Sequence, residues 1–131
     1  MKTLIVEDDF TSRLLIQEFL RGYGVSHIAV NGREAVEAVA AALDSGEPYQ
    51  LVCLDIMMPG MSGQQALKEI RELEESRGIF SSDGAKIIMT TALNDIQSKI
   101  DAFAGLCDAY LTKPIHKEHL LRELRKLKLI A

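Results

Sequence analysis

Tryptophan is absent from this chain of 131 residues, aromatic residues make up 5% of it, and there are only three prolines and two cysteines. Basic residues are also in short supply: 15 Lys and Arg stand against 19 Asp and Glu, giving a formal net charge of -4. No Lys/Arg cluster is interleaved with aromatics, so no direct nucleic-acid partner is expected, because gripping a phosphate backbone takes a basic face. Cys53 and Cys107 form no CxxC pair, and Cys53 lies inside the apolar run Leu51–Leu54, the setting of a reduced core thiol. No apolar stretch approaches the roughly 20 residues of a membrane span. The opening Met-Lys-Thr-Leu-Ile-Val-Glu reaches an acid too early to hold a signal-peptide core. A cytosolic chain with no membrane association is the expectation.

What is present fits one ordinary globular domain over residues 1–131, with no output domain after it. Hydrophobic residues at 47% and charged residues at 26% are the usual balance. A chain this long buries about two-thirds of its unfolded surface, so it needs no disulfide or metal to fold.

Short apolar runs at Leu4–Val6, Ile28–Val30, Leu51–Leu54, Ile87–Met89 and Ala109–Leu111 predict strands covered on both faces. Helical patterns lie between them. Leu15, Ile16, Phe19 and Leu20 form i,i+4 pairs before Gly22 and Gly24 end the first helix. Val36, Val39, Ala40 and Leu43 stripe the second, with Asn31 placed to cap it. Ser62 and Gln65 give a capping-box signal for a third helix carrying Ala66, Ile70 and Leu73. Ile96, Ile100 and Phe103 mark a fourth, and Leu120, Leu124 and Leu127 a fifth whose last turns are basic. Ser76–Ala85 reads as a polar surface loop, a tolerated insertion. Five strands alternating with five helices predict an α/β fold: an open, doubly wound parallel sheet of (βα)5 form.

In such sheets the working site lies beyond the carboxyl ends of the strands. Glu7, Asp8 and Asp9 follow the first run, Asp55 the third, Thr90 and Thr91 the fourth, and Lys113 with Pro114 the fifth. Gathered carboxylates repel unless a cation intervenes. Lys113 is one remedy; a divalent ion on hard oxygen ligands, Mg²⁺ or possible Mn²⁺, is the other. An Asp carboxylate is also a nucleophile toward phosphorus, and the resulting acyl phosphate needs a metal, a lysine and a hydroxyl for charge neutralisation.

The strings Leu-Ile-Val-Glu-Asp-Asp, Leu-Asp-Ile-Met-Met-Pro-Gly-Met-Ser-Gly, Met-Thr-Thr-Ala and Tyr-Leu-Thr-Lys-Pro, in that order on those strand ends, resemble the receiver domain of two-component response regulators. The resemblance implies the flavodoxin/CheY-like strand order 2-1-3-4-5. It implies that Asp55 accepts a phosphoryl group from a histidine kinase, becoming an aspartyl phosphate. Asp8 would bind Mg²⁺ directly together with Asp55 and the backbone carbonyl of Met57, and Glu7 would bind it through water. Thr91 and Lys113 would hold phosphate oxygens, the Lys113–Pro114 bond would be cis, and Pro59 and Gly63 would shape the loop into the third helix. Asp9 falls outside the metal set, at the start of the first helix, where a carboxylate is favoured. Thr91 would then move toward the phosphate and Tyr110 swing inward, changing the face of helix four, strand five and helix five that a downstream protein reads. The chain would be a monomer or a phosphorylation-dependent dimer, and a phosphoacceptor rather than an enzyme, acting only on its own phosphoryl group.

Blander readings stand beside these. Tyr110 serves equally well as a buried strand aromatic. His116 and His119, at i,i+3, read as a solvated helix face for want of a third metal ligand, and His27 as a strand-edge residue. Leu93 and Met57, two positions after Thr91 and Asp55, are apolar where polar residues often tune dephosphorylation. Among rival functions, a haloacid-dehalogenase-type phosphatase requires Asp-x-Asp after strand one, where this chain has Glu-Asp-Asp. An FMN carrier would need a phosphate cradle where Glu7–Asp9 repel anions. A receiver-like module that binds partners without phosphorylation is the remaining alternative.

Overall fold

Residues 1–80, 83–92 and 106–131 of the computed structural model are described here. Five strands, β1 (Thr3–Val6), β2 (Ser26–Ala29), β3 (Leu51–Asp55), β4 (Lys86–Ala92) and β5 (Ala109–Lys113), pair in parallel in the order β2-β1-β3-β4-β5. Three helices, α1 (Phe10–Phe19), α2 (Gly32–Asp44) and α3 (Gly63–Ser76), connect them, and a C-terminal helix spans Lys117–Lys126. The fourth predicted helix, with Ile96, Ile100 and Phe103, lies outside the described residues, as do Leu93, Ser81 and Ser82.

The period-two alternation of β1, β3 and β4 splits the interior in two. Leu4, Val6, Val52, Leu54, Ile87 and Met89 face one side, where Ala35 and Val39 of α2 and Leu67 and Ile70 of α3 cover them. Ile5, Leu51, Cys53 and Ile88 face the other, under Ile16 and Leu20 from the first helical segment and Leu120, Leu121 and Leu124 of the C-terminal helix. Helices on both faces make the sheet doubly wound.

The capping expectations hold. Asp9 accepts from the Ser12 amide at 2.8 Å, Asn31 from Glu34 at 2.8 Å and Ser62 from Gln65 at 3.3 Å. Arg125 and Lys126 occupy the last turn of the C-terminal helix, where cations meet the unpaired carbonyls.

Three expectations are corrected or narrowed. The second strand is Ser26–Ala29 rather than Ile28–Val30, because it is registered against Thr3–Val6 and only Ala29 in it is buried. Leu15 is 46% exposed, so of the two predicted i,i+4 pairs it is Ile16 with Leu20 that turns fully inward. The segment before β4 is not simply a tolerated insertion: Ala85 and Ile79 donate backbone N–H bonds to Glu74, which anchors it to α3.

Candidate functional site

The four parallel strands β1, β3, β4 and β5 end together at one edge, and the chain places an acid or a base at the end of three of them or one residue past it. Glu7 follows β1 and is 1% exposed; Asp55, the last residue of β3, is 2% exposed. Lys113 ends β5 and reaches across the sheet edge, donating to Glu7 Oε1 at 2.6 Å and lying 3.3 Å from Asp55 Oδ2. The second oxygen of each acid is also engaged. Glu7 Oε2 accepts the Asp9 amide at 3.1 Å, and Asp55 Oδ1 accepts the Met57 amide at 3.2 Å. Arg13 donates to the Glu7 backbone carbonyl at 3.2 Å, holding the turn into α1. The Lys113–Pro114 peptide is cis, as expected.

Electrostatics follow from this burial. Burial pushes the Glu7 carboxyl above its ordinary value, against the lowering pull of Lys113 and the Asp9 amide. Burial alone would lower Lys113; the two carboxylates outweigh it and hold the ammonium above its ordinary value, so it stays charged at neutral pH. Asp9, bonded to the Ser12 amide, is lowered, as an N-cap carboxylate should be.

Carboxylate oxygens of Glu7, Asp8 and Asp55 lie within 4.8 Å of one another, the one grouping of three potential ligand residues among those described. Its donors are all hard oxygens, with Asp8 exposed at the mouth, which suits a divalent ion that keeps open positions for water or phosphate rather than zinc. The loop that follows is drawn tight by Gly63. A Cβ there would sit 2.1 Å from the Asp55 backbone oxygen and 2.7 Å from Ile56 Cα, so only glycine lets α3 start this close to the acid.

The structure thus brings Glu7, Asp8, Asp55 and Lys113 together. Thr91 lies one residue before the end of β4, its side chain fully buried and its hydroxyl 3.4 Å from the Ala92 carbonyl, and the β3–β4 register sets Thr90 opposite Asp55. Tyr110 is no buried aromatic; it is 47% exposed on the edge strand β5. His27 lies on the opposite edge strand with Nδ1 2.7 Å from the Tyr49 hydroxyl.

Sequence reasoning missed a second buried charge cluster at the other end of the sheet. Arg71, 6% exposed on α3, bonds to Glu74 at 2.7 Å, Asp108 at 2.9 Å, and the carbonyls of Leu106 and Ala85, each at 2.8 Å. The available signal was an arginine directly beside Leu67 and Ile70 in the α3 apolar stripe.

A doubly wound sheet with an acid–lysine site at its carboxyl edge defines the class, and comparison with known proteins defines the family. The family model for the response regulator receiver domain matches residues 3–125, so the chain belongs to the receiver-domain family. It is 34% identical over 126 residues to the sensor histidine kinase GacS of Pseudomonas protegens, covering 95% of this chain and 13% of that protein. With the regulatory protein VanRB of Enterococcus faecalis the identity is 33%, over 97% of this chain and 52% of that one. The chain therefore spans about half, or far less, of these relatives' length. Among solved structures it resembles the receiver domain of the Arabidopsis thaliana histidine kinase CKI1 complexed with Mg²⁺ and BeF₃⁻ (TM-score 0.83, 25% identity, 97% of this chain and 89% of that one). It also resembles the receiver domain of Saccharomyces cerevisiae Ssk1, co-crystallised with the phosphotransfer protein Ypd1 (TM-score 0.80, 30% identity, 97% and 88%). The chain is a phosphoacceptor signalling domain of the two-component type. Among the described residues, no helix is long and apolar enough to cross a membrane.

Proposed function

We propose that Asp55 is the residue that takes the phosphoryl group. A carboxylate oxygen attacks phosphorus, the N–P bond of a donor phosphohistidine breaks, and the departing imidazole takes up a proton. The observation that carries this reading is a nearly inaccessible carboxylate at a strand end, 3.3 Å from a lysine and inside an acidic trio. Left without such partners, burial of that charge would be costly.

Mg²⁺, or Mn²⁺ in its place, would be held by Asp8, Asp55 and the Met57 backbone carbonyl, with Glu7 through water, and when bound supplies neutralising charge to the phosphoryl oxygens. Lys113 orients Asp55 beforehand and then pairs with a phosphoryl oxygen. Thr91 turns its hydroxyl from the Ala92 carbonyl to another. Tyr110, exposed beforehand, turns inward behind it. A phosphoryl group brings nearly two negative charges, and its contacts with Thr91 and Lys113 bias the two arrangements. β5 and the C-terminal helix, with the fourth predicted helix, form the surface a downstream protein reads.

The donor is a histidine kinase or a histidine phosphotransfer protein, a reading supported by the Ypd1 complex of the Ssk1 receiver. The chain acts on its own phosphoryl group and turns over no other substrate. Met57, 56% exposed, and Leu93 restrict the attacking water and so alter the phosphate's lifetime. Residues 1–131 work as one domain in the cytosol, as a monomer or a phosphorylation-dependent dimer.

Intact mass after incubation with acetyl phosphate tests the assignment. One phosphoryl mass that requires Mg²⁺ and disappears in Asp55→Asn is expected, without sustained turnover of p-nitrophenyl phosphate. An Asp55→Asn chain that labels as well as wild type would remove Asp55 from the role.

A further inference from the structure

Outside the acidic site, the chemistry-bearing side chains that come closest to a built site are two imidazoles. His116 is the N-cap residue of the C-terminal helix and makes no side-chain capping bond; His119 follows one turn later, and both are exposed. Their ring centroids lie 5.4 Å apart with the planes at 78°. Together with Tyr110, Leu111, Thr112 and Ile115 they line a concavity of about 170 Å³.

The spacing is that of a chelate. With Zn–N bonds of about 2.0–2.1 Å and a tetrahedral angle, two imidazole centroids on one ion fall about 5.2 Å apart. The observed centroid separation of 5.4 Å is close to that value. The concavity has room for the waters that complete the ion's shell, each occupying about 30 Å³.

We propose that His116 and His119 form a two-imidazole site for a borderline divalent ion of the zinc class. It shares no residue with the acidic trio, and the donor chemistry sorts the ions: imidazole nitrogen suits zinc and copper, whereas the carboxylate oxygens of Glu7, Asp8 and Asp55 suit magnesium. His27 provides an internal control, because it is the chain's only other histidine and sits on the far edge strand, bonded to Tyr49.

The test is a Zn²⁺ titration of the intact chain in excess Mg²⁺, read by calorimetry and by the imidazole NMR signals. The His116 and His119 resonances should move together and saturate at a single ion per chain while His27 stays put. His119→Ala, a change at an exposed position, should weaken Zn²⁺ binding about tenfold or more, and His27→Ala should leave it unchanged. Retention of wild-type affinity in His119→Ala, or loss of Zn²⁺ binding in Asp8→Asn alone, would overturn the proposal.

Discussion

Replacing Arg71 with Met tests whether the buried charge cluster is a structural unit. The guanidinium makes four hydrogen bonds, to Glu74, Asp108 and the carbonyls of Leu106 and Ala85. Methionine fills much of the volume but leaves Glu74, 3% exposed, without its cation, its other oxygen still accepting the Ala85 amide at 2.7 Å. Stranding one partner of a buried pair costs about 3–5 kcal/mol. Against a total stability of about 5–15 kcal/mol that is a large fraction, and for a chain of this length it lowers Tm by roughly 10–20 °C. Because there is no Trp, urea and thermal unfolding are best followed by far-UV circular dichroism. A double-mutant cycle with Glu74→Gln, which keeps an acceptor for Ala85 but removes the charge, should return a coupling of about 1–3 kcal/mol. A loss below about 1 kcal/mol in Arg71→Met, or no coupling, would refute the reasoning that Arg71 and Glu74 stabilise as a pair. The cluster holds the amino ends of β4 and β5, away from Asp55, so acetyl phosphate labelling of the folded variant should be unchanged.

Two further outcomes follow from single contacts. Gly63→Ala should destabilise the fold by roughly 1–3 kcal/mol and slow labelling of Asp55, since the new Cβ must displace backbone rather than a flexible side chain; a wild-type melt with a wild-type labelling rate would contradict this. Burial pushes the Cys53 thiol up to about 12, while Cys107, also raised by burial, is only partly covered. A native thiol titration at pH about 8 should therefore modify Cys107 slowly and spare Cys53 until denaturant is added, because the thiolate is the reactive form; equal native rates would refute it.

Much of this protein was legible in its residues because the relevant signals are local. Apolar runs gave β1, β3, β4 and β5 their places, and Asp9, Asn31 and Ser62 cap the helices they were expected to cap, since an N-cap bond spans only three residues. The strand-end rule gathers Glu7, Asp8, Asp55 and Lys113 at one edge from the order of elements alone. β2 was misplaced because an edge strand buries so little that Ile28 within it and Val30 just past it mark exposure rather than the core. Leu15 could not be told from Ile16 because periodicity defines a stripe without fixing which side of it turns inward.

What the sequence by itself determined is the order of elements and the roster of charged residues at the carboxyl edge, both set by patterns a few residues long. Only the tertiary structure decided how those charges pair. Lys113 is bound to Glu7, 106 residues away, as closely as any ion pair in the site, and Arg71 to Asp108, 37 residues away. Such pairings depend on which strands lie side by side and which helix crosses them. A buried charge accepts whatever partner the packing brings within reach, and no spacing along the chain encodes that choice.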